Sequence, residues 1–161
     1  MKTLATIGQP DASIQYTDRP TVKVIVKKGD AVLLLNQGLL PGGGVDDGES
    51  DDTAIARELQ EELGVTVKNV HRIGTVIQYR NLLSKKYIVN GYVATLDTMG
   101  GATNPQDDGE AQFVMRWLSV EDAKEFLRRS IEEAKLLPME DDANQGRLYN
   151  LMTTYELLGN L

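Results

Sequence analysis

Glu58, Glu61 and Glu62 stand three and four residues apart, the spacing that brings side chains onto one face of a helix. Like charges so placed destabilise a bare helix, and packing gives no reason for three of them. A hard divalent cation resolves the conflict, because Mg²⁺ takes oxygen ligands and is commonly shared between carboxylates and substrate phosphates. Arg57 adjoins the same face and can orient Glu58 or Glu61 through a charge-assisted hydrogen bond. Upstream, Gly42, Gly43 and Gly44 allow positive φ and let backbone N–H groups approach an anion closely. Together these residue types suit phosphate chemistry assisted by a cation.

Such carboxylates need a helix to carry them. Ser50 is a fitting N-cap, and Asp51 and Asp52 follow where the helix dipole favours negative charge. Gly64 offers the C-terminal stop. Ile55, Leu59 and Leu63 recur every four residues, an apolar stripe distinct from the glutamate face.

From Gly43 to Val65 the residues Gly43, Glu49, Arg57, Glu58, Leu59, Glu61, Glu62, Gly64 and Val65 occupy the fixed positions of G-x5-E-x7-R-E-U-x-E-E-x-G-U, where U is aliphatic. The segment resembles a complete Nudix box, and loop followed by helix is the context its chemistry requires. The resemblance implies an α/β Nudix fold, a mixed β-sheet sandwiched between α-helices, in one domain over residues 1–161. It also implies Mg²⁺-dependent hydrolysis, with Mn²⁺ able to substitute, of a phosphoanhydride in a nucleoside diphosphate linked to another group. Glu58, Glu61 and Glu62 are then the metal ligands, and Glu58, Glu61 and Arg57 belong to the catalytic set. Glu49 braces Arg57 and the loop, and Gly43 and Gly44 offer backbone donors to a phosphate. In several members the base, or an extra metal ligand, comes from a later loop; Glu110, seven residues before Trp117, is the candidate here, with Asp108 second and Asp107 expected to be solvated, the alternative being that all three are solvated loop charge.

The whole chain is compatible with this. At 161 residues, 41 % hydrophobic and 25 % charged, it suits one soluble globular core. A net charge of −7 argues against an extended nucleic-acid interface, while a small nucleotide arriving with its metal remains compatible. No apolar run reaches membrane-spanning length and residues 1–20 lack a signal-peptide pattern, so the expected location is the cytoplasm, with no membrane partner. The absence of cysteine excludes disulfides and thiolate chemistry.

Along the chain, residues 1–20 read as an arm or an edge strand, and Thr21 to Lys28 as a strand turning at Gly29-Asp30 into Ala31 to Asn36. Val70 to Arg80 and Lys86 to Leu96 read as long strands, and Gln112 to Leu118 as another. Ser119 to Asp122 resembles a capping box opening a helix that buries Ala123, Phe126 and Leu127, with Ser130 to Leu137 as a second helical piece. Leu148, Leu151, Met152, Tyr155 and Leu158 place a helical stripe in residues 143–159, fitting intramolecular packing or, as the alternative, a homodimer contact.

Remaining candidates are weighed singly. Tyr79 is placed either to stack a base or to pack in the sheet, and Arg19 to touch a nucleotide ahead of its strand. Arg80, Lys85 and Lys86 read as exposed hairpin charges, His71 as a strand or loop residue, and Trp117 and Phe113 as core. The family's ADP-ribose branch has a proline past the box, but no proline lies between Pro41 and Pro105. Tyr79 matches the tyrosine of dinucleoside polyphosphate hydrolases only in rough position. A (deoxy)nucleoside triphosphate is the least committed substrate; alternatives are a dinucleoside polyphosphate, a nucleotide sugar, or a non-catalytic nucleotide sensor.

Overall fold

The computed structural model describes residues 2–104 and 113–161. Glu110, Asp107 and Asp108 therefore lie outside the described residues. Ten elements follow in order: β1 (Thr3–Ile7), β2 (Thr17–Lys28), β3 (Ala31–Leu35), α1 (Asp51–Leu63), β4 (Thr66–Arg80), a 3-10 turn (Asn81–Leu83), β5 (Lys85–Thr98), β6 (Met115–Ser119), α2 (Val120–Lys135) and α3 (Asp142–Leu158). The six strands form one sheet ordered β1-β4-β5-β2-β3-β6. β1 runs parallel to β4, and β2 parallel to β5; the other pairings are antiparallel. This is a mixed sheet with α1 on one face and α2 and α3 on the other, the architecture expected for the Nudix fold.

Alternation along the strands divides the apolar side chains between two cores. Val22, Val24, Val26, Leu33, Leu35, Tyr92 and Ala94 meet Ala54, Ile55 and Leu59 of α1. Ile25, Val32, Leu34, Val76 and Val89 meet Leu127, Leu151 and Leu157 beneath α2 and α3. Burial on both sides explains the nearly continuous apolar run of β2. Each fully buried Ile or Leu contributes about 1.5–3 kcal/mol, so Ile55 and Leu59 hold α1 firmly on its face.

The loop after β3 returns to the sheet. Val24 N–H donates to Pro41 O, Val22 N–H to Gly43 O, and Val45 N–H to Pro20 O, all at 2.9–3.0 Å. Residues 41–45 thus continue the pairing along β2 where β3 has ended. At the opposite sheet edge β1 supplies the outer strand, and Tyr16 Oη donates to Asn81 Oδ1 at 2.7 Å, tying the following arm to the β4–β5 turn.

Several boundaries differ from the sequence expectation. β4 starts at Thr66, before Val70, because Thr66 and Val67 pair with Thr98 and Leu96. α2 runs unbroken to Lys135, since Ser130 falls on its buried side and does not interrupt it. Arg80 is not an exposed hairpin charge: it is 8 % exposed, stacks over the Tyr87 ring at 5.3 Å and donates to Asp142 O. Trp117, expected in the core, is half-buried on β6, near the sheet edge, with Lys28 Nζ 5.8 Å from its ring centre. His71 is exposed on β4. Among the described residues no helix is long and apolar enough to cross a membrane.

Candidate active site

The glutamate-bearing helix is fixed at both ends by its own sequence. Ser50 Oγ accepts from Thr53 N–H at 3.2 Å, and Gly64, at φ 63°, closes the helix with its N–H on Gln60 O. Asp51, in the first turn, does more than complement the dipole. Its Oδ2 accepts from Tyr92 Oη at 2.5 Å and Asn90 Nδ2 at 2.8 Å. Asn90 Oδ1 in turn accepts from Arg72 Nη2 and Thr75 Oγ1. Burial first, and the Asp51 carboxylate second, push the Tyr92 phenol up to about 12. The start of α1 is thereby bolted to β5 and β4.

Arg57 is the centre of the site. Its Nε and Nη2 form a fork on the two oxygens of Glu49, both at 2.9 Å. Nη1 donates to Glu58 Oε1 at 2.7 Å and lies 3.6 Å from Glu61 Oε2, while Nη2 also reaches Gly44 O at 2.9 Å. One guanidinium therefore joins the loop, the helix and two of the three clustered carboxylates. The fork holds Glu49 well below the usual carboxylate range, at about 2, with the Asp46 N–H as a second cause. The same bonds, Glu49 foremost, raise Arg57 above its ordinary value.

The glycines act by making room. A Cβ on Gly43 would lie 2.5 Å from the Glu58 carboxylate, so Glu58 packs directly on bare backbone. Gly42 N–H donates to Glu62 Oε2 at 3.0 Å, and Gly42 O with Leu40 O accepts from Lys23 Nζ. Beside them a cavity of about 60 Å³ is lined by Lys23, Leu40, Glu62, Asn150 and Thr153 among others.

The expected site residues are thus unequally gathered. Arg57, Glu58, Glu61, Glu62, Gly43 and Gly44 converge where loop meets helix. Arg19 joins them, its Nη2 lying where a Cβ on Gly44 would come within 2.6 Å. Tyr79 is engaged elsewhere: its ring packs edge-on against Tyr16 at 5.1 Å between centres. On the sequence alone Lys23, Tyr92 and Asn90 carry no role, and Asp51 carries only that of a first-turn carboxylate. The available signal for Lys23 was a lysine at an alternating position between Val22 and Val24 of a buried strand.

The donor set fits a hard cation, being oxygen only and drawn from one helix edge beside backbone carbonyls. Arg57 takes one oxygen of Glu58 and contacts one of Glu61, leaving the second oxygen of each uncommitted to it. Among the described residues no group of three or more His, Cys, Asp or Glu side chains is already drawn together as a metal site. An open arrangement suits Mg²⁺, which keeps waters and shares substrate phosphates.

Residues 17–139 match the NUDIX domain. The chain belongs to the Nudix family. It is 36 % identical over 90 residues to the CMP-5'-(N-acetyl-N-hydroxy-3-aminopropyl)phosphonate hydrolase of Streptomyces rubellomurinus, a match covering 55 % of this chain and 41 % of that protein. It is 57 % identical over 35 residues to the RNA pyrophosphohydrolase of Vibrio cholerae, covering 22 % of this chain and 20 % of that one. The chain thus spans less than half the length of either relative. The crystal structure of a MutT NUDIX hydrolase from Burkholderia pseudomallei superimposes with a TM-score of 0.55 at 19 % identity, over 83 % of this chain and 98 % of that one, a likeness of fold.

Proposed function

We propose that this Nudix domain is a divalent-cation-dependent pyrophosphohydrolase that cleaves a phosphoanhydride in a nucleoside diphosphate linked to another group. The preferred substrate is a (deoxy)nucleoside triphosphate or a related nucleotide. The observation that carries this reading is the Arg57 hub, which ties Glu49, Glu58, Glu61 and Gly44 O into one frame while Glu62 is held from Gly42. Both relatives are named as hydrolases, and one as a pyrophosphohydrolase.

Glu58, Glu61 and Glu62 would hold Mg²⁺, or Mn²⁺ in its place, and the bound ion would offset phosphate charge and acidify water. The chain's own residues do the positioning. Arg57 aims Glu58 and Glu61, and Glu49 fixes Arg57. The bare backbone at Gly43 and Gly44 makes room for the Glu58 carboxylate and the Arg19 guanidinium, and that guanidinium would offer donors to a phosphate chain. Water attacks phosphorus, the bridging P–O bond breaks, and the water's proton passes to a carboxylate, Glu61 or Glu110.

A nucleotide panel incubated with Mg²⁺ or Mn²⁺, followed by release of phosphate or pyrophosphate, tests the activity. Turnover of at least one phosphoanhydride is expected; tight binding without turnover across the panel would sink the proposal. On the substrate so found, Glu110→Gln should lower kcat strongly with little change in KM, whereas Asp107→Asn stays within about a few-fold of wild type. Matching mild effects would leave the base to Glu61.

A further inference from the structure

We infer that Lys23 is a positioning residue that sets the Glu62 carboxylate through the Gly42 peptide. The inference rests on the reading of Glu62 as a metal ligand. Lys23 lies on β2, half-buried, on the side of the strand away from α1, and its ammonium donates to Leu40 O at 3.1 Å and Gly42 O at 2.5 Å. The carbonyls between and beyond these two, Pro41 O and Gly43 O, are taken by Val24 N–H and Val22 N–H. Four successive carbonyls are thus fixed by one stretch of β2, alternately by its backbone and by this one side chain. Gly42 N–H, within the same stretch, is the group that holds Glu62 Oε2 at 3.0 Å.

The loop needs this outside support. Gly42 sits at φ +120°, and a Cβ there would lie 2.3 Å from Val22 O, so position 42 admits only glycine. Glycine brings no side chain to stiffen the backbone, and Pro41 has no N–H to anchor it. Removing the ammonium would leave two part-buried carbonyls without this donor and free the Gly42 unit to rotate, carrying its N–H away from Glu62.

Electrostatics and positioning make opposite predictions. A positive charge lining the same cavity as Glu62 opposes a bound cation, so deleting it should by Coulomb's law alone tighten metal binding. If Lys23 acts by holding the loop, deletion should loosen it. Second-sphere supports of metal ligands are worth about 10–100-fold in affinity.

Mn²⁺ binding to the substrate-free protein, read by electron paramagnetic resonance for wild type, Lys23→Met and Lys23→Arg, decides the matter. Thermal melts confirm that each variant is folded, and Lys23→Gln replaces Lys23→Met if the latter is not. Lys23→Met should bind Mn²⁺ about tenfold more weakly, and Lys23→Arg should recover most of the loss. In a Glu62→Gln background, Lys23→Met should weaken binding little further, because both act through one ligand. Unchanged or tighter Mn²⁺ binding in Lys23→Met, or full additivity with Glu62→Gln, overturns the role of Lys23. A raised substrate KM at saturating metal with unaltered Mn²⁺ affinity would make Lys23 a substrate contact instead, and also overturns it. Failure of the wild type itself to bind Mn²⁺ would bring down the metal site as a whole, an outcome distinct from those three.

Discussion

On the α1 face, Asp51, Tyr92, Asn90, Thr75 and Arg72 pass hydrogen bonds from one to the next, and Arg57 forks onto both oxygens of Glu49 and bonds one oxygen of Glu58. Beneath α3 the pattern is different. Gln78 Oε1 and Arg80 Nε on β4, and Asp142 Oδ1, Gln145 Oε1 and Arg147 Nε on α3, are buried without a partner among the described residues. No other buried side-chain nitrogen or oxygen among those residues is left so. A satisfied polar network fixes one geometry, while an unsatisfied one costs stability without fixing anything. The face that carries the carboxylates is the more fully bonded one; α3 relies on Leu148, Leu151, Leu157 and Leu158 in the core and on Gln78 Nε2, which donates toward Asn150 Oδ1 and Thr153 Oγ1.

Substitutions can break this contrast. The largest effect is expected from Glu62→Gln, which keeps shape but removes a ligand charge: kcat should fall by about two orders of magnitude or more with the melting temperature preserved. Near-wild-type turnover at limiting Mg²⁺ would detach α1 from the chemistry. Asp51→Ala comes next, on stability. It strands the Tyr92 hydroxyl and an Asn90 N–H, and should cost about 2–4 kcal/mol in urea unfolding. Arg80→Leu should behave in the opposite sense, neutral or stabilising by about 1–3 kcal/mol, because it replaces an under-bonded buried cation with apolar volume. Equal losses in these two variants would erase the difference between the faces.

The smallest effect concerns acid. Glu49 falls from an ordinary 4.5 to about 2 in the folded chain, so its contribution is present above about pH 4.5 and disappears as pH drops toward 2. Wild type should lose melting temperature over that window more steeply than Glu49→Gln, as thermal scans across pH would register.

What could be read in the sequence follows the same division. The box helix, its caps at Ser50 and Gly64, and the pairing of Glu49 with Arg57 are local, set by spacing within one segment, and they stand as expected. Contacts made across the sheet were not legible. Asp51 looked like a dipole residue because Tyr92 lies 41 positions away. Arg80 looked like a hairpin charge because nothing local announces Tyr87 beneath it or Gly146 above. Lys23 was overlooked because its partners are carbonyls, which any residue supplies.

The four central strands of the sheet are two hairpins, β2–β3 and β4–β5, joined side by side through the parallel ladder between β2 and β5. Hairpins close in about 1–10 μs, but a parallel join must first close the long intervening chain, an entropic demand that slows it. The α1 segment is that intervening chain: its loop is bound to β2 through Gly43, and Asp51 is bound to β5. Neither hairpin alone can assemble the glutamates in their frame. During refolding, native strand signal should therefore precede the first turnover by the proposed hydrolase activity, whose appearance would mark the moment when the two halves of the sheet meet.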